Sequence, residues 1–246
     1  APPRMPGVRK KRDRAEDPDR QERKKQRLLA QEGSVSCRTR SSMAKLNPTV
    51  TTRTIAGVQY TYINGSEQSA MHTDSLRSYD YLAIITQCLT QTDAQGMTVL
   101  LLGVAGGVLC RQWEAYFPEA IQQVDAVDIN PEVIQRCQEQ QQQGSLFRTT
   151  NFVLADACQY VRGAAKRRYD AVVEDVFAGP HKPPGVNSTA FLEAVRACLK
   201  PGGCYVSNIH KTMPGMADTV RANMAAAGFT GLRAHKRDIN IILHGV

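Results

Sequence analysis

No stretch of this sequence is long and apolar enough to cross a bilayer as a helix. The longest nearly apolar run, Thr98 to Cys110, is interrupted by three glycines and falls short of the roughly 20 residues that a span requires. The expectation is a soluble protein with no membrane partner. Cysteine offers no framework either. Its seven residues (37, 88, 110, 137, 158, 198 and 204) form an odd, scattered set with no C-x-x-C pair and no histidine at a zinc-ligand offset. Neither a disulfide scaffold nor a structural metal is expected, and the usage fits a reducing intracellular compartment. An excess of charge is missing from most of the chain as well, since residues 47–246 hold 17 Lys/Arg and 17 Asp/Glu.

What is present is a neutral body and a basic arm. With 42% apolar residues in 246, the chain has material for one ordinary α/β domain or two small ones. The net charge of +8 comes from residues 1–46, which hold 14 Lys/Arg and 6 Asp/Glu. The densest clusters are Arg9-Lys10-Lys11-Arg12 and Arg23-Lys24-Lys25, with Arg27 just beyond. Asp17-Pro18 offers an N-cap and a first-turn proline for a helix that runs to Gln31 and stops at Gly33. Three readings stand open for the arm. A solvated tail follows from its charge and its shortage of apolar residues. Clustered Lys/Arg is also the footprint of phosphate contact, hence docking on RNA or a ribonucleoprotein, with a protein partner as the variant. A targeting signal is the third, for the nucleus by the spacing of its clusters, or for the mitochondrion despite its acids. Docking is the expectation carried forward.

After Pro48 short β-type runs begin. Thr51 to Ile55 and Val58 to Ile63 flank Ala56-Gly57, and Asn64-Gly65 turns the chain towards Glu67 to Met71, which together predict a small antiparallel unit. Asp74 to Thr90 carries apolar residues at helical spacing and predicts a lead-in helix. From Thr98 strand and helix alternate, and the strands are near-continuously apolar, as when helices cover both faces of a parallel sheet. Leu232 to His235 and Asn240 to Leu243 follow a last helix as a closing hairpin. The expected fold class is α/β, a Rossmann-like doubly wound sheet. Its expected boundaries are a basic extension (1–48), a β unit with its lead-in helix (49–92) and the main domain (93–246).

The chemistry is expected at the strand ends. The first strand of the alternation runs into Gly103-Val104-Ala105-Gly106-Gly107 and directly into a helix, a turn that brings backbone N–H groups up to a polar ligand. Tight packing of strand on helix is the alternative. The second strand ends in Asp128-Ile129, where a carboxylate is placed to accept both hydroxyls of a ribose. The third ends in Asp156-Ala157, where an acid can accept from an adenine amino group beside a small residue, or can simply cap the next helix. The fourth ends in Glu174-Asp175 and enters the proline-rich segment 176–184; only one of two adjacent acids can face a crevice there. His181, His72 and His210 are each open to two readings, a base near the pocket or an exposed loop histidine, with the second as the expectation; Trp113 is read as core, and Lys166-Arg167-Arg168 as a solvated turn, with extension of a phosphate-binding face as the alternative.

With these strand ends in place, residues 50–246 resemble the spermidine synthase-like branch of the class I S-adenosylmethionine-dependent methyltransferase superfamily. The resemblance rests on Gly57-Val58-Gln59-Tyr60 to Gln68-Ser69-Ala70, Leu76-Arg77-Ser78-Tyr79, Gly106-Gly107-Val108-Leu109, Val124 to Asp128, Ala155-Asp156-Ala157, Tyr169 to Asp175 and Leu199 to Gly203. Asn240-Ile241-Ile242-Leu243 adds a likeness to members that methylate protein. It implies that Gly103, Ala105, Gly107, Asp128, Ile129, Asp156, Ala157 and Glu174 surround an adenosyl ligand, S-adenosylmethionine, with Asp175 at the catalytic position.

The departures bear on activity. Aminopropyltransferases carry D-x-x-D after the fourth strand, and here Ala178 stands where the second acid belongs. Their Tyr-Gln/His-Glu segment reads Tyr79-Asp80-Tyr81, and the central glycine of the loop is Ala105. A cationic amine would lose two carboxylates, so polyamine synthesis is not expected. Two functions remain: a methyltransferase acting on a macromolecule, or a catalytically silent member, a pseudoenzyme, that serves as scaffold or assembly factor in a ribonucleoprotein.

Overall fold

A computed structural model describes residues 49–90, 95–144, 146–179 and 181–246. These lie in one compact unit, Asn47–Val246. The basic clusters and the helix expected over 17–31 lie outside the described residues.

Strands β1 (Val50–Ile55), β2 (Val58–Ile63) and β3 (Ser66–His72) form an antiparallel sheet in chain order. Ala56-Gly57 and Asn64-Gly65 make its two turns with all four residues at positive φ, the geometry that matches strand twist in a tight hairpin. The lead-in helix is shorter than its apolar spacing suggests. Helix α1 is Asp80–Thr90, and Asp74 to Tyr79 stay outside it. Leu76 sits at φ 50° and the His72 amide donates to the Arg77 carbonyl at 2.8 Å, so a turn folds the chain back onto β3 before a helix can start.

The main sheet has seven strands in the order β6-β5-β4-β7-β8-β10-β9. Its elements follow as β4 (Met97–Leu102), α2 (Val108–Tyr116), β5 (Ile121–Asp128), α3 (Pro131–Gln142), β6 (Thr150–Leu154), α4 (Ala157–Gly163), β7 (Tyr169–Glu174), α5 (Thr189–Cys198), β8 (Leu199–His210), α6 (Met216–Ala226), β9 (Arg233–Arg237) and β10 (Asn240–Gly245). Strands β4 to β8 run parallel, and β10 lies antiparallel between β8 and β9. The Rossmann-like α/β fold with a closing hairpin is thus observed.

Both faces of this sheet are covered, which accounts for strands without polar alternation. In β4, Val99 and Leu101 pack with α1, α2 and α3, while Leu100 and Leu102 pack with α4, α5 and α6. The helix starts obey local chemistry. Asn130 accepts from the Glu132 amide at 3.0 Å with Pro131 in the first turn of α3, and Ser188 accepts from the Phe191 amide at 3.2 Å ahead of α5.

One charged segment differs from its sequence reading. Arg168 is not simply solvated: its guanidinium lies 2.5 Å from Asp125, whose side chain is fully buried in β5 and also accepts from Tyr169 at 2.7 Å and Asn151 at 3.1 Å. A buried carboxylate needs such partners. Trp113 is core as expected, with its indole N–H on Thr86 at 2.9 Å. Among the described residues no helix is long and apolar enough to cross a membrane, and no three His, Cys, Asp or Glu side chains converge.

Candidate functional site

After β4 the next strands lie to one side and β7 to the other, so the carboxyl ends of β4 and β7 flank the point where the winding reverses. Crevices in open α/β sheets form there. Gly103 ends β4 at φ 90°, and a Cβ on it would lie 2.4 Å from the Asp175 carbonyl oxygen. No side chain fits that approach, and any L-residue would be strained at that φ. Gly106 is met from the other direction, because a Cβ there would stand 2.4 Å from Ser69 Oγ and 2.8 Å from Thr61 Oγ1. The three-stranded sheet therefore seats directly on the glycine loop. Ala105 holds φ 47°, a left-handed conformation that costs an L-residue about 1–2 kcal/mol. Gly107 caps α2 and faces Phe147.

Asp128 ends β5 and organises this loop. Its Oδ2 accepts from the Val104 amide at 2.9 Å and the Ala105 amide at 3.4 Å, and its Oδ1 accepts from the Asn130 amide at 2.9 Å. A carboxylate has about four acceptor positions, so a ribose hydroxyl meets an acid already committed to its own loop. Asp156 caps α4, taking the Gln159 amide on Oδ1 at 2.9 Å, which leaves Oδ2 for a ligand. Ala157, in the first turn of α4, is buried behind it.

Between the two acids the surface is apolar and open. Ile129 is 61% exposed and Leu154 54%. Asp128 and Leu154 are paired neighbours at the ends of β5 and β6, so an apolar ledge lies between the carboxylates. That arrangement fits the nucleoside half of S-adenosylmethionine: two apolar side chains for a flat base, one acid for a ribose and one for an amino group. Leu154 carried no signal in the sequence, because a leucine at a strand end reads as core.

The β7 end is built differently. Glu174 is fully buried. Its Oε1 meets Lys182 Nζ and the Val176 amide at 2.6 and 2.7 Å, and its Oε2 accepts from Ser207 and Asn187 at 2.7 and 2.8 Å. The Lys182 side chain is itself only 2% exposed and lies over the Phe177 ring at 4.0 Å. Glu174 thus faces away from the crevice and pins the segment that follows it. Lys182, Asn187 and Ser207 were missed in sequence because their partner lies 8 to 33 residues away.

Asp175 is the acid that faces the other way. Its Oδ1 accepts from Asn208 Nδ2 at 2.7 Å, and Asn208 in turn accepts from Asn240 at 2.9 Å. Tyr81 Oη donates to its Oδ2 across 3.4 Å, and the Tyr79 and Tyr81 rings stack at 6.0 Å. Burial pushes the Asp175 carboxyl above the usual range, against the lowering effects of Lys182, Asn208 and Tyr81. Burial and the Asp175 charge together push the Tyr81 phenol up. Two sequence departures are located here: Tyr81 touches Asp175, while Ala178 is exposed and bridges His181 in a turn. His181 and His72 are exposed, and His210 contacts Thr212. The arm residues Arg9, Lys10, Lys11, Arg12, Arg23, Lys24, Lys25 and Arg27 lie outside the described residues.

Residues 99–203 match the model of a methyltransferase domain. No curated protein matches the chain in sequence. Among solved structures, a probable spermidine synthase from Corynebacterium glutamicum is similar, with TM-score 0.68 and 21% identity over 80% of this chain and 76% of that one. Human methyltransferase-like protein 13, solved in complex with SAH, matches with TM-score 0.56 and 23% identity over 68% of this chain and 82% of that one. Spermidine synthase from Thermotoga maritima matches with TM-score 0.58 and 13% identity over 82% and 73%. At these identities the likeness is one of fold. The fold is the Rossmann-like one that these methyltransferases and spermidine synthases share, and residues 99–203 are methyltransferase-like.

Proposed function

We propose that this protein binds S-adenosylmethionine at the ends of β4, β5 and β6 and methylates a macromolecule, an RNA or ribonucleoprotein engaged by the basic arm. The observation that carries the reading is the pairing of Asp128 and Asp156 across an exposed Ile129–Leu154 ledge. Bound there, the ligand supplies a sulfonium methyl group as electrophile. Asp128 accepts a ribose hydroxyl while its other positions hold the glycine loop in shape. Asp175, with its raised pKa, takes the proton of the acceptor nucleophile at Oδ2, and Tyr81 and Asn208 fix its orientation. The rest of the rate enhancement is positioning of the acceptor against the methyl group.

The second reading, a catalytically silent scaffold in a ribonucleoprotein, is favoured by one feature. Asp128 takes the amides of Val104, Ala105 and Asn130, and Ala105 replaces a glycine, so the chain's own contacts hold the loop in shape. Polyamine synthesis has no support in either reading, since Ala178 and Tyr81 stand where carboxylates would hold a cationic amine.

Isothermal titration with S-adenosylmethionine and S-adenosylhomocysteine separates the two. Saturable heats for both ligands support the enzyme; no binding at millimolar concentration leaves the scaffold. RNA docking is checked apart from this. Removing residues 1–46 is expected to abolish most RNA affinity and flatten its dependence on log salt, and unchanged affinity and slope would exclude the arm.

A further inference from the structure

A groove of about 260 Å3 lies on the α6 face of the main sheet, between α6, the 211–215 turn and strands β9 and β10. Its floor is apolar, with Met213 and Leu243 buried and Ile241 half-buried. Its rim is cationic. Lys211 enters from the turn after β8, Arg221 from α6 and Lys236 from β9, against a single acid, Asp218. Lys236 stands opposite Ile241 in the β9–β10 register, so both side chains share this face. Lys211 donates to the Asp238 carbonyl, and neither Arg221 nor Lys236 belongs to an ion pair among the described residues. The volume falls below the roughly 300–1,000 Å3 of small-molecule sites and suits one or two apolar side chains.

Strand β9 ends the sheet. Among the described residues its one strand neighbour is β10, so a row of backbone N–H and C=O groups faces outward beside the groove. Such an edge invites a further strand, and charge decides which. β9 reads Arg233-Ala234-His235-Lys236-Arg237, and a second copy laid alongside would set cations against cations, which is destabilising. The arm, with 14 Lys/Arg to 6 Asp/Glu over residues 1–46, is repelled for the same reason. A nucleic acid has the right charge, but no aromatic side chain lines the groove to stack a base. Phosphates would also leave the apolar floor and the backbone edge unused.

We propose that this groove docks an extended acidic segment of a partner protein, which adds a strand beside β9. Its backbone pairs with the open edge, and one apolar side chain enters over Met213, Ile241 and Leu243. Acidic side chains two residues to either side share the face of that apolar one and meet Arg221 and Lys236. Main-chain pairing supplies affinity in this mode and alternate side chains supply specificity. The groove lies beyond β8 in the strand order, so the proposal does not depend on use of the adenosyl crevice at β4 to β6.

The probe is a blocked, fluorophore-labelled pentapeptide, Glu-Thr-Leu-Thr-Glu, titrated against the full chain while anisotropy and the amide NMR resonances of Ala234 and Lys236 are followed. Saturable binding that moves both resonances is expected. Arg221→Glu and Lys236→Glu, both at exposed positions, should each weaken binding by about threefold, the size of an exposed ion pair. Serine in place of the peptide's leucine should weaken it by about tenfold or more, as for a buried apolar side chain lost. Three results would assign the groove to another occupant and overturn the proposal: a uridine pentanucleotide that moves the same resonances at lower concentration, a dimer abolished by Lys236→Pro, or resonances shifted by removal of residues 1–46 without any peptide. It also falls if a peptide with lysine for its glutamates binds as well, or if neither resonance moves up to about 1 mM peptide, the weak end of specific affinities.

Discussion

At the ends of β5 and β6, acids and apolar side chains face outward with acceptor positions to spare, whereas at the end of β7 Glu174 has both oxygens filled by Lys182, Asn187, Ser207 and a backbone amide. The two ends share a sheet edge and a similar sequence signature, a run of apolar residues closed by acids. They differ in what the following segment brings. After β5 and β6 a short turn leads into a helix and leaves the carboxylate at the surface. After β7 the chain makes a long excursion through 176–188 that returns Lys182 and Asn187 to the strand it left. An acid at a strand end is a ligand group only where the next segment does not consume it.

That contrast is broken most severely at Glu174. Glu174→Ala leaves Lys182 buried and unpaired beside Phe177, and loss of one partner from a buried ion pair costs about 3–5 kcal/mol. The expected outcome in urea unfolding is a large fall in the midpoint with the m value nearly unchanged. A loss within the range of an exposed pair, about 0–1 kcal/mol, would mean that the 176–188 segment does not depend on this contact.

Much of this arrangement was legible in the sequence, and the reasons are local. A helix straight after the glycine turn was readable because Gly107 and the apolar spacing mark α2, Val108–Tyr116, without tertiary help. The same holds for Asn130-Pro131 ahead of α3. Asp128 and Asp156 were found because strand ends announce themselves where apolar runs stop. The short α1, the engagement of Glu174 and the pairing of Arg168 with Asp125 were not legible, since each depends on a contact distant in sequence. Which of the adjacent acids Glu174 and Asp175 faces the crevice was open for the same reason; periodicity says only that they point apart.

A smaller effect, on binding rather than folding, sharpens the other half of the comparison. Asp128→Ala removes the acceptor proposed for the ribose together with the hydrogen bonds that shape residues 103–107. Hydrogen bonds to a charged group contribute about 1–3 kcal/mol, so titration should show S-adenosylhomocysteine weakened by roughly ten- to hundredfold. Asp128→Asn, which keeps one acceptor oxygen, should fall between. Equal binding by wild type and both variants would place the ligand elsewhere on the edge.

The smallest expected effect lies at Asp175 and carries a sign that distinguishes it from Glu174. Burial raises its carboxyl pKa above the ordinary 3.8, and the opposing pulls of Lys182, Asn208 and Tyr81 do not restore it. The native state therefore binds the Asp175 proton more tightly than the unfolded chain does. Where the unfolded state holds fewer protons, stability falls as pH rises. The penalty thus grows from 3.8 up to the raised native value, is complete above it, and vanishes below 3.8 where both states are protonated. Asp175→Asn removes the charge but keeps an acceptor for Asn208, whose Nδ2 now bonds Oδ1 at 2.7 Å. The variant should be more stable than wild type at neutral pH, with the advantage narrowing as the pH falls through that window. Urea midpoints measured in parallel across pH 3 to 8, about the range over which most carboxyl and histidine groups titrate, give the answer. A variant less stable than wild type at neutral pH would mean that Lys182, Asn208 and Tyr81 hold the ionised carboxylate better than water does. Asp175 would then resemble Glu174, an acid consumed by its own chain, and would lose its proposed role as the base in methyl transfer.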